Sequence, residues 1–243
     1  MNTRSQSKKL VSGIENRETF ISVSKLRSYI LGDEFSDVVK HQIKPLYKQN
    51  VFANQGIQYE KNILDIIKSK VQPGEYRTFV RYNEYENAIK CINEKIPILS
   101  QVPLKDDDLK IRGIADLLVR KDYLKKIFDF DFPLLNISDD MYVVFDIKFS
   151  KIPTISGFVD DKYGYKYYKY QTMLYSHMLG NIQGVKCKNS FIIGKGIYSE
   201  SGNPFQSIGV VDNRLCSLKL VKKALQFLDC IEFMDIDKFE PNM

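Results

Sequence analysis

Several absences narrow what this chain can be before any motif is considered. No run of about 18 or more apolar residues occurs in the 243-residue sequence. The N-terminus also lacks the basic-then-apolar pattern of a secretory signal, so neither membrane insertion nor export is indicated. The expectation is a soluble intracellular protein of cytoplasm or nucleus, or a viral protein acting in a host cell, with no membrane partner. Cysteine is scarce: Cys91, Cys187, Cys216 and Cys230 are scattered, and none forms a C-x-x-C pair. A chain of this length needs no disulfide staples, so these read as reduced thiols. No iron–sulfur cluster is expected, since cluster ligands are usually grouped closely. The two histidines, His41 and His177, read as structural. No G-x-x-x-x-G-K-[ST] loop is found, which argues against a P-loop motor, and no internal repeat is present.

What remains is a chain with 44% apolar residues, enough for a sizeable core. Its 36 Lys and Arg against 30 Asp and Glu give a net charge of +6, which suits a polyanionic partner without requiring one. Residues 1–13, MNTRSQSKKLVSG, show no apolar period and read as a disordered basic arm, with residues 14–243 as a single domain. Near Phe20, Ser22 or Ser24 is placed to cap a helix carrying Leu26, Tyr29 and Ile30. A second helix is expected from about Gly56 to Val71, its stripe formed by Ile57, Ile63, Leu64, Ile67 and Val71. After a mixed segment at 79–86, strands are expected at Ile111–Arg120 and Tyr142–Phe149, separated by a charged and aromatic insertion. The run Asp106, Asp107, Asp108 reads as a solvated turn. A further helix is expected over Tyr167–Leu179, stopping at Gly180. Short strands at Phe191–Ile193 and Ile208–Val211 precede a largely buried last helix over Arg214–Met234. The class is α/β or α+β with a central mixed sheet flanked by helices.

Four charged side chains stand out against apolar surroundings. In YVVFDIKF, strand alternation puts Tyr142, Val144, Asp146 and Lys148 on one face and Val143, Phe145, Ile147 and Phe149 on the other. Asp146 and Lys148 therefore project together, as a simple ion pair at a solvent edge or as part of a polar site. Asp116 is the single acid in the apolar run after Gly113, where a buried carboxylate needs compensation. Glu60 lies on the apolar stripe of its helix. Either it finds a partner or a metal there, or it is rotated to the edge of the stripe and solvated.

A helix Glu60 in GIQYE, Asp116 in GIAD, Asp146 and Lys148 in DIK, and Gln171 with Tyr175 in QTMLY follow one another in this order. That succession resembles the RecB-like exonuclease branch of the PD-(D/E)XK superfamily, and ISVSKLRSYI is similar to the serine-initiated helix that opens many members. The resemblance covers about Phe20 to Leu179. It departs from many relatives in carrying Gln58 and Tyr59 where a histidine shortly precedes the helix glutamate.

The resemblance implies a restriction-endonuclease-like α/β core and metal-dependent hydrolysis of phosphodiester bonds in DNA, in repair, recombination or viral genome processing. It implies Mg²⁺ or Mn²⁺ held by Asp116, Asp146, Glu60 and the carbonyl of Ile147, a set whose hard oxygens suit those cations. Lys148 is expected to orient the attacking water and offset negative charge on the phosphate. Gln171 and Tyr175, four apart on one helix face, are expected to anchor the substrate backbone or support Lys148. Just ahead of them, Lys162, Tyr163, Tyr165, Lys166, Tyr168 and Lys169 form a credible surface for single strands or DNA ends, lysines for phosphates and rings for bases. Two alternatives stay open: a silent nuclease fold that only binds nucleic acid, and a structural or interaction protein in which Asp146 and Lys148 are a surface pair.

Overall fold

A computed structural model describes residues 19–34, 36–38, 51–129, 132, 135–162, 164–195, 205 and 207–231. The expected N-terminal arm, His41 and Tyr163 lie outside the described residues. The protein is α/β, with a nine-stranded mixed sheet flanked by helices. Its strands are β1 (Ile21–Ser22), β2 (Tyr76–Thr78), β3 (Ile98–Asp106), β4 (Ile111–Arg120), β5 (Tyr142–Lys148), β6 (Thr154–Ile155), β7 (Phe158–Val159), β8 (Asn189–Gly194) and β9 (Ile208–Asp212). Their order is β2-β3-β4-β5-β8-β9-β7-β6, with β1 parallel to the start of β4. The sheet is mixed because β4–β5 and β8–β9 are antiparallel while β2–β3 and β5–β8 are parallel.

The helices are α1 (Arg27–Leu31), α2 (Val51–Ser69), α3 (Tyr85–Asn93), α4 (Leu124–Phe128), α5 (Tyr165–Gln183) and α6 (Leu218–Cys230). The chain divides into two compact units, one of residues 1–49, 105–112 and 217–243, the other of residues 50–104 and 113–216.

In the larger unit, Ile63 and Ile67 of α2 join Leu117 and Val119 of β4 and Val143, Phe145 and Ile147 of β5 in one buried cluster. Phe145 lies between stacked Phe128 and Phe191, at centroid distances of 4.7 and 5.0 Å. Such pairs contribute about 0.5–1.5 kcal/mol each beyond area burial. The alternation expected for β5 is present on this side, where Val143, Phe145 and Ile147 share the cluster. Helix α2 begins earlier than expected, and its stripe is narrower. Ile63 and Ile67 are buried, whereas Ile57 is 66% exposed.

Two elements of this unit were not expected, and one expected helix end moves. Strand β3 was not foreseen, because ILSQVPLKD is buried on both faces and contains Pro103. Proline is accommodated there because the pairing with β2 ends at Ser100. The charged and aromatic insertion after β4 holds α4, which sends Ile127 and Phe128 into the core. Helix α5 runs through Gly180 and ends at Gly184, whose φ of +72° supplies the left-handed cap. Gly180 instead serves close packing, since a Cβ there would lie 3.2 Å from the Val185 carbonyl.

In the smaller unit, Val23–Leu26 is a 3₁₀ turn leading into α1, and Ser22 at its start makes no side-chain capping bond. Tyr29 packs on Phe227 of α6 with centroids 5.2 Å apart. The last helix is shorter and more amphipathic than its sequence suggested, burying Val221, Ala224 and Leu225 while Lys222 and Lys223 stay exposed. The acidic run is a turn in which Asp107 and Asp108 are exposed. Asp106 is buried and accepts the Leu109 N–H at 2.7 Å, so it closes the turn rather than being solvated.

Candidate active site

The antiparallel ladder between β4 and β5 runs from Arg120↔Tyr142 to Leu117↔Phe145. One step beyond, the acids begin. The Asp116 Oδ2 accepts the backbone N–H of Ile147 at 2.7 Å, so a side chain takes a position that a strand carbonyl would otherwise occupy. Asp146, next to Ile147, is fully buried. The two carboxyl groups are close enough for each to influence the titration of the other.

Lys148 emerges beside them. Its Nζ lies 2.8 Å from Asp146 Oδ2, with the lysine side chain only 18% exposed, and 5.3 Å from the centroid of the Tyr168 ring. The ion pair is direct, yet neither Asp146 oxygen receives a well-directed hydrogen bond. Burying a carboxylate without such donors is costly. Accordingly, burial drives the Asp146 carboxyl up, Lys148 opposes this and Asp116 adds to it. Asp116 is shifted upward for the same first reason, with Lys148 and the Ile147 amide pulling the other way. Burial acts to lower the Lys148 ammonium, but Asp146 and Asp116 outweigh it and hold the amine above its ordinary value. Lys148 is thus a fixed cation.

Glu60 is brought to this cluster by α2. Its neighbour Tyr59 anchors the helix, donating its hydroxyl to the Gly194 carbonyl at 2.7 Å and packing its ring 5.6 Å from that of Phe149. Glu60 is neither in the apolar core nor freely solvated. Burial pushes its carboxyl up to about 7, with Asp116 adding to the rise and Lys148 opposing it. The amide of Gln101 donates a hydrogen bond to Glu60 Oε1.

Gln101 was not foreseen. It sits within β3 with a φ of +55°, a left-handed conformation rare for a non-glycine residue and unusual inside a strand. Nothing in a mixed polar segment flags such a residue from sequence, because backbone strain leaves no compositional trace.

Helix α5 supplies the remaining expected pair. Gln171 Nε2 donates to the Tyr175 hydroxyl at 3.0 Å. Tyr175 is buried, and burial first, then Asp146 and Asp116, raise its phenol well above the ordinary value. Gly113 explains itself here: a Cβ at that position would overlap the Tyr175 ring. The G-x-x-D and Q-x-x-x-Y segments are therefore packed against each other, with no space for a larger residue at 113.

The tyrosine- and lysine-rich segment divides. Lys162 is exposed, and Lys166, Tyr165 and Tyr168 are partly so. Lys169 is buried and paired with Asp161 at 2.6 Å, unlike the more exposed lysines of the segment.

A hard cation fits this donor set in one respect that the protein itself shows, the two buried Asp146 oxygens without directed donors beside a second carboxylate. Among the described residues no three His, Cys, Asp or Glu side chains stand together as a ready ligand group. Asp116 and Asp146 form the near pair, and Glu60 is held by Gln101. The four cysteines are free, three of them buried, and among the described residues no helix is long and apolar enough to cross a membrane. No protein-family model matches the chain, and no curated protein matches it.

Proposed function

We propose that this protein is a metal-dependent nuclease of the PD-(D/E)XK type that hydrolyses phosphodiester bonds in DNA. The observation that carries the reading is the buried pair Asp116 and Asp146 on adjacent strands with the Lys148 ammonium against Asp146, and Glu60 of a third element near enough to feel all three charges. A surface ion pair has no need of the other two acids, and a stabilising core has no use for a carboxylate in this state.

Asp116 and Asp146 would hold Mg²⁺ or Mn²⁺, with Glu60 and the Ile147 carbonyl completing the oxygen set. When bound, such a cation acidifies a water and neutralises charge on the scissile phosphate. The protein's own groups do the rest. Lys148, kept protonated by the adjacent acids, presents N–H donors to the attacking water and to the phosphate oxygens as their charge grows. The water oxygen bonds to phosphorus and gives up one proton to solvent, the bond to the leaving oxygen breaks, and that oxygen takes up a proton from solvent in return. The Gln171–Tyr175 hydrogen bond fixes a neutral donor pair beside the acids, suited to the strand backbone.

Labelled linear and circular, single- and double-stranded DNA, incubated with Mg²⁺, Mn²⁺ or EDTA, tests this directly. Wild-type protein is expected to cut only with metal, while Asp146→Ala and Lys148→Ala fold, by circular dichroism, and do not cut. Binding without cutting under every metal would overturn the nuclease reading in favour of a silent binding protein. Neither binding nor cutting would leave a structural role for the carboxylates.

A further inference from the structure

Beside the acid cluster, α2 and the edge strand β2 enclose an open groove of about 850 Å³. Ile57, Lys61, Leu64 and Lys68 of α2 line it at helical spacing, Tyr76 and Arg77 line it from β2, and Glu60 and Gln101 of the site line it too. The cations Lys61, Lys68 and Arg77 have no carboxylate within ion-pair distance among the described residues. They outnumber the two acids of the groove, Glu60 and Asp65. Lys68 Nζ stands 5.9 Å from the Tyr76 ring centroid. Ile57, 66% exposed, presents an apolar surface that the fold leaves uncovered.

We propose that this groove is the track of an unpaired nucleic-acid strand leading to or from the acid cluster, an inference that rests on the nuclease reading. An apolar wall of Ile57, Leu64 and Tyr76 suits the faces of bases, which a paired strand keeps stacked inside the helix. The three cations suit the phosphates of the same strand. A recess in the size range of small-molecule sites has room for a short run of splayed nucleotides. Because Glu60 lines both groove and site, a strand lying in the one is delivered to the other without leaving the protein surface.

The test uses the full chain in EDTA with fluorescein-labelled oligothymidylate, a duplex of equal length, and oligouridylate to learn which sugar is taken, either of which satisfies the inference. Combining Lys61→Glu, Lys68→Glu and Arg77→Glu is expected to weaken oligothymidylate binding at least tenfold. The same change is expected to flatten the log–log salt slope by about 2, three phosphate contacts at roughly 0.7 each for single strands. Lys90→Glu, whose side chain is 72% exposed on α3, should bind as wild type does. If the triple variant fails to fold, Lys68→Gln with Arg77→Gln gives the same reading at smaller amplitude. Unchanged single-strand affinity overturns the inference, as does an equal loss for the duplex. Metal-dependent cutting is measured alongside: cutting that survives Asp146→Ala sinks the nuclease reading, whereas cutting abolished by Asp146→Ala with unaltered strand binding in the groove variants sinks the track alone.

Discussion

Two ion pairs of the larger unit share the same written pattern, an aspartate and a basic residue two positions on. In Asp212–Asn213–Arg214 the pair is complete. The guanidinium donates to both carboxylate oxygens, at 2.9 and 2.6 Å, the Arg214 backbone N–H adds a third bond at 3.0 Å, and the arginine side chain is 65% exposed. Arg214 holds the Asp212 carboxyl below its usual value. In Asp146–Ile147–Lys148 the aspartate is fully buried, no directed hydrogen bond reaches it, and its carboxyl is driven up. Satisfied pairs lower the pKa of the acid and stabilise the fold modestly; the unsatisfied one is held in place by the surrounding structure and is available for chemistry. The pattern alone does not distinguish them. The neighbours do.

The largest expected difference between the two is in cutting. Asp146→Ala or Lys148→Ala should reduce DNA cleavage by about 10³-fold or more, the scale of removing a group that stabilises developing charge. Asp212→Asn and Arg214→Ala should leave cleavage within about twofold of wild type. Equal losses from both pairs, measured as initial rates in Mg²⁺, would erase the distinction.

Acid–base linkage offers the next contrast, between Glu60 and Glu75. The Glu60 carboxyl is raised from 4.5 to about 7, so the folded state holds the proton more tightly. Its contribution to stability is present below about 4.5 and is lost as pH rises through about 7. After discounting for partial exposure the loss is on the order of 1–2 kcal/mol. Glu75, lowered to about 2 by hydrogen bonds from Tyr123, the Gln72 backbone and Lys126, behaves oppositely, its contribution disappearing as pH falls from about 4.5 to about 2. Thermal melts of Glu60→Gln should lack the decline between about pH 4.5 and 7 seen in wild type. A wild-type curve flat across that interval would contradict the assignment.

A smaller effect is expected at Gln101. Gln101→Gly relieves the left-handed backbone while removing the amide that holds Glu60, so stability should change by no more than about 1 kcal/mol. Cutting should fall severalfold. Denaturant titration and cleavage rates on one preparation check both, and a large loss of stability with normal cutting would make Gln101 a packing residue only.

These contrasts also mark where sequence was a sufficient guide. Strands β4, β5, β8 and β9 were legible because apolar runs bounded by turn residues report a buried strand directly. Asp116, Asp146, Lys148, Glu60, Gln171 and Tyr175 were legible as isolated polar residues in ordered motifs, and the fold brings them together. Composition near α5 does not reveal that helix periodicity turns Lys169 inward to Asp161. Strand β3 was missed because a proline argues against a strand unless one knows that its neighbour stops three residues earlier. Gln101 and the groove cations lie on elements whose pairing is long-range, and no local pattern encodes that.

The bond from the Ile147 amide to Asp116 makes one proton a natural spectroscopic reporter. Its resonance in an isoleucine-labelled sample should move when the acid pair gains a proton or a cation, because the acceptor's charge changes while the backbone stays in place. Occupancy of the centre becomes readable in solution from a single amide, with no substrate added and no bond cut.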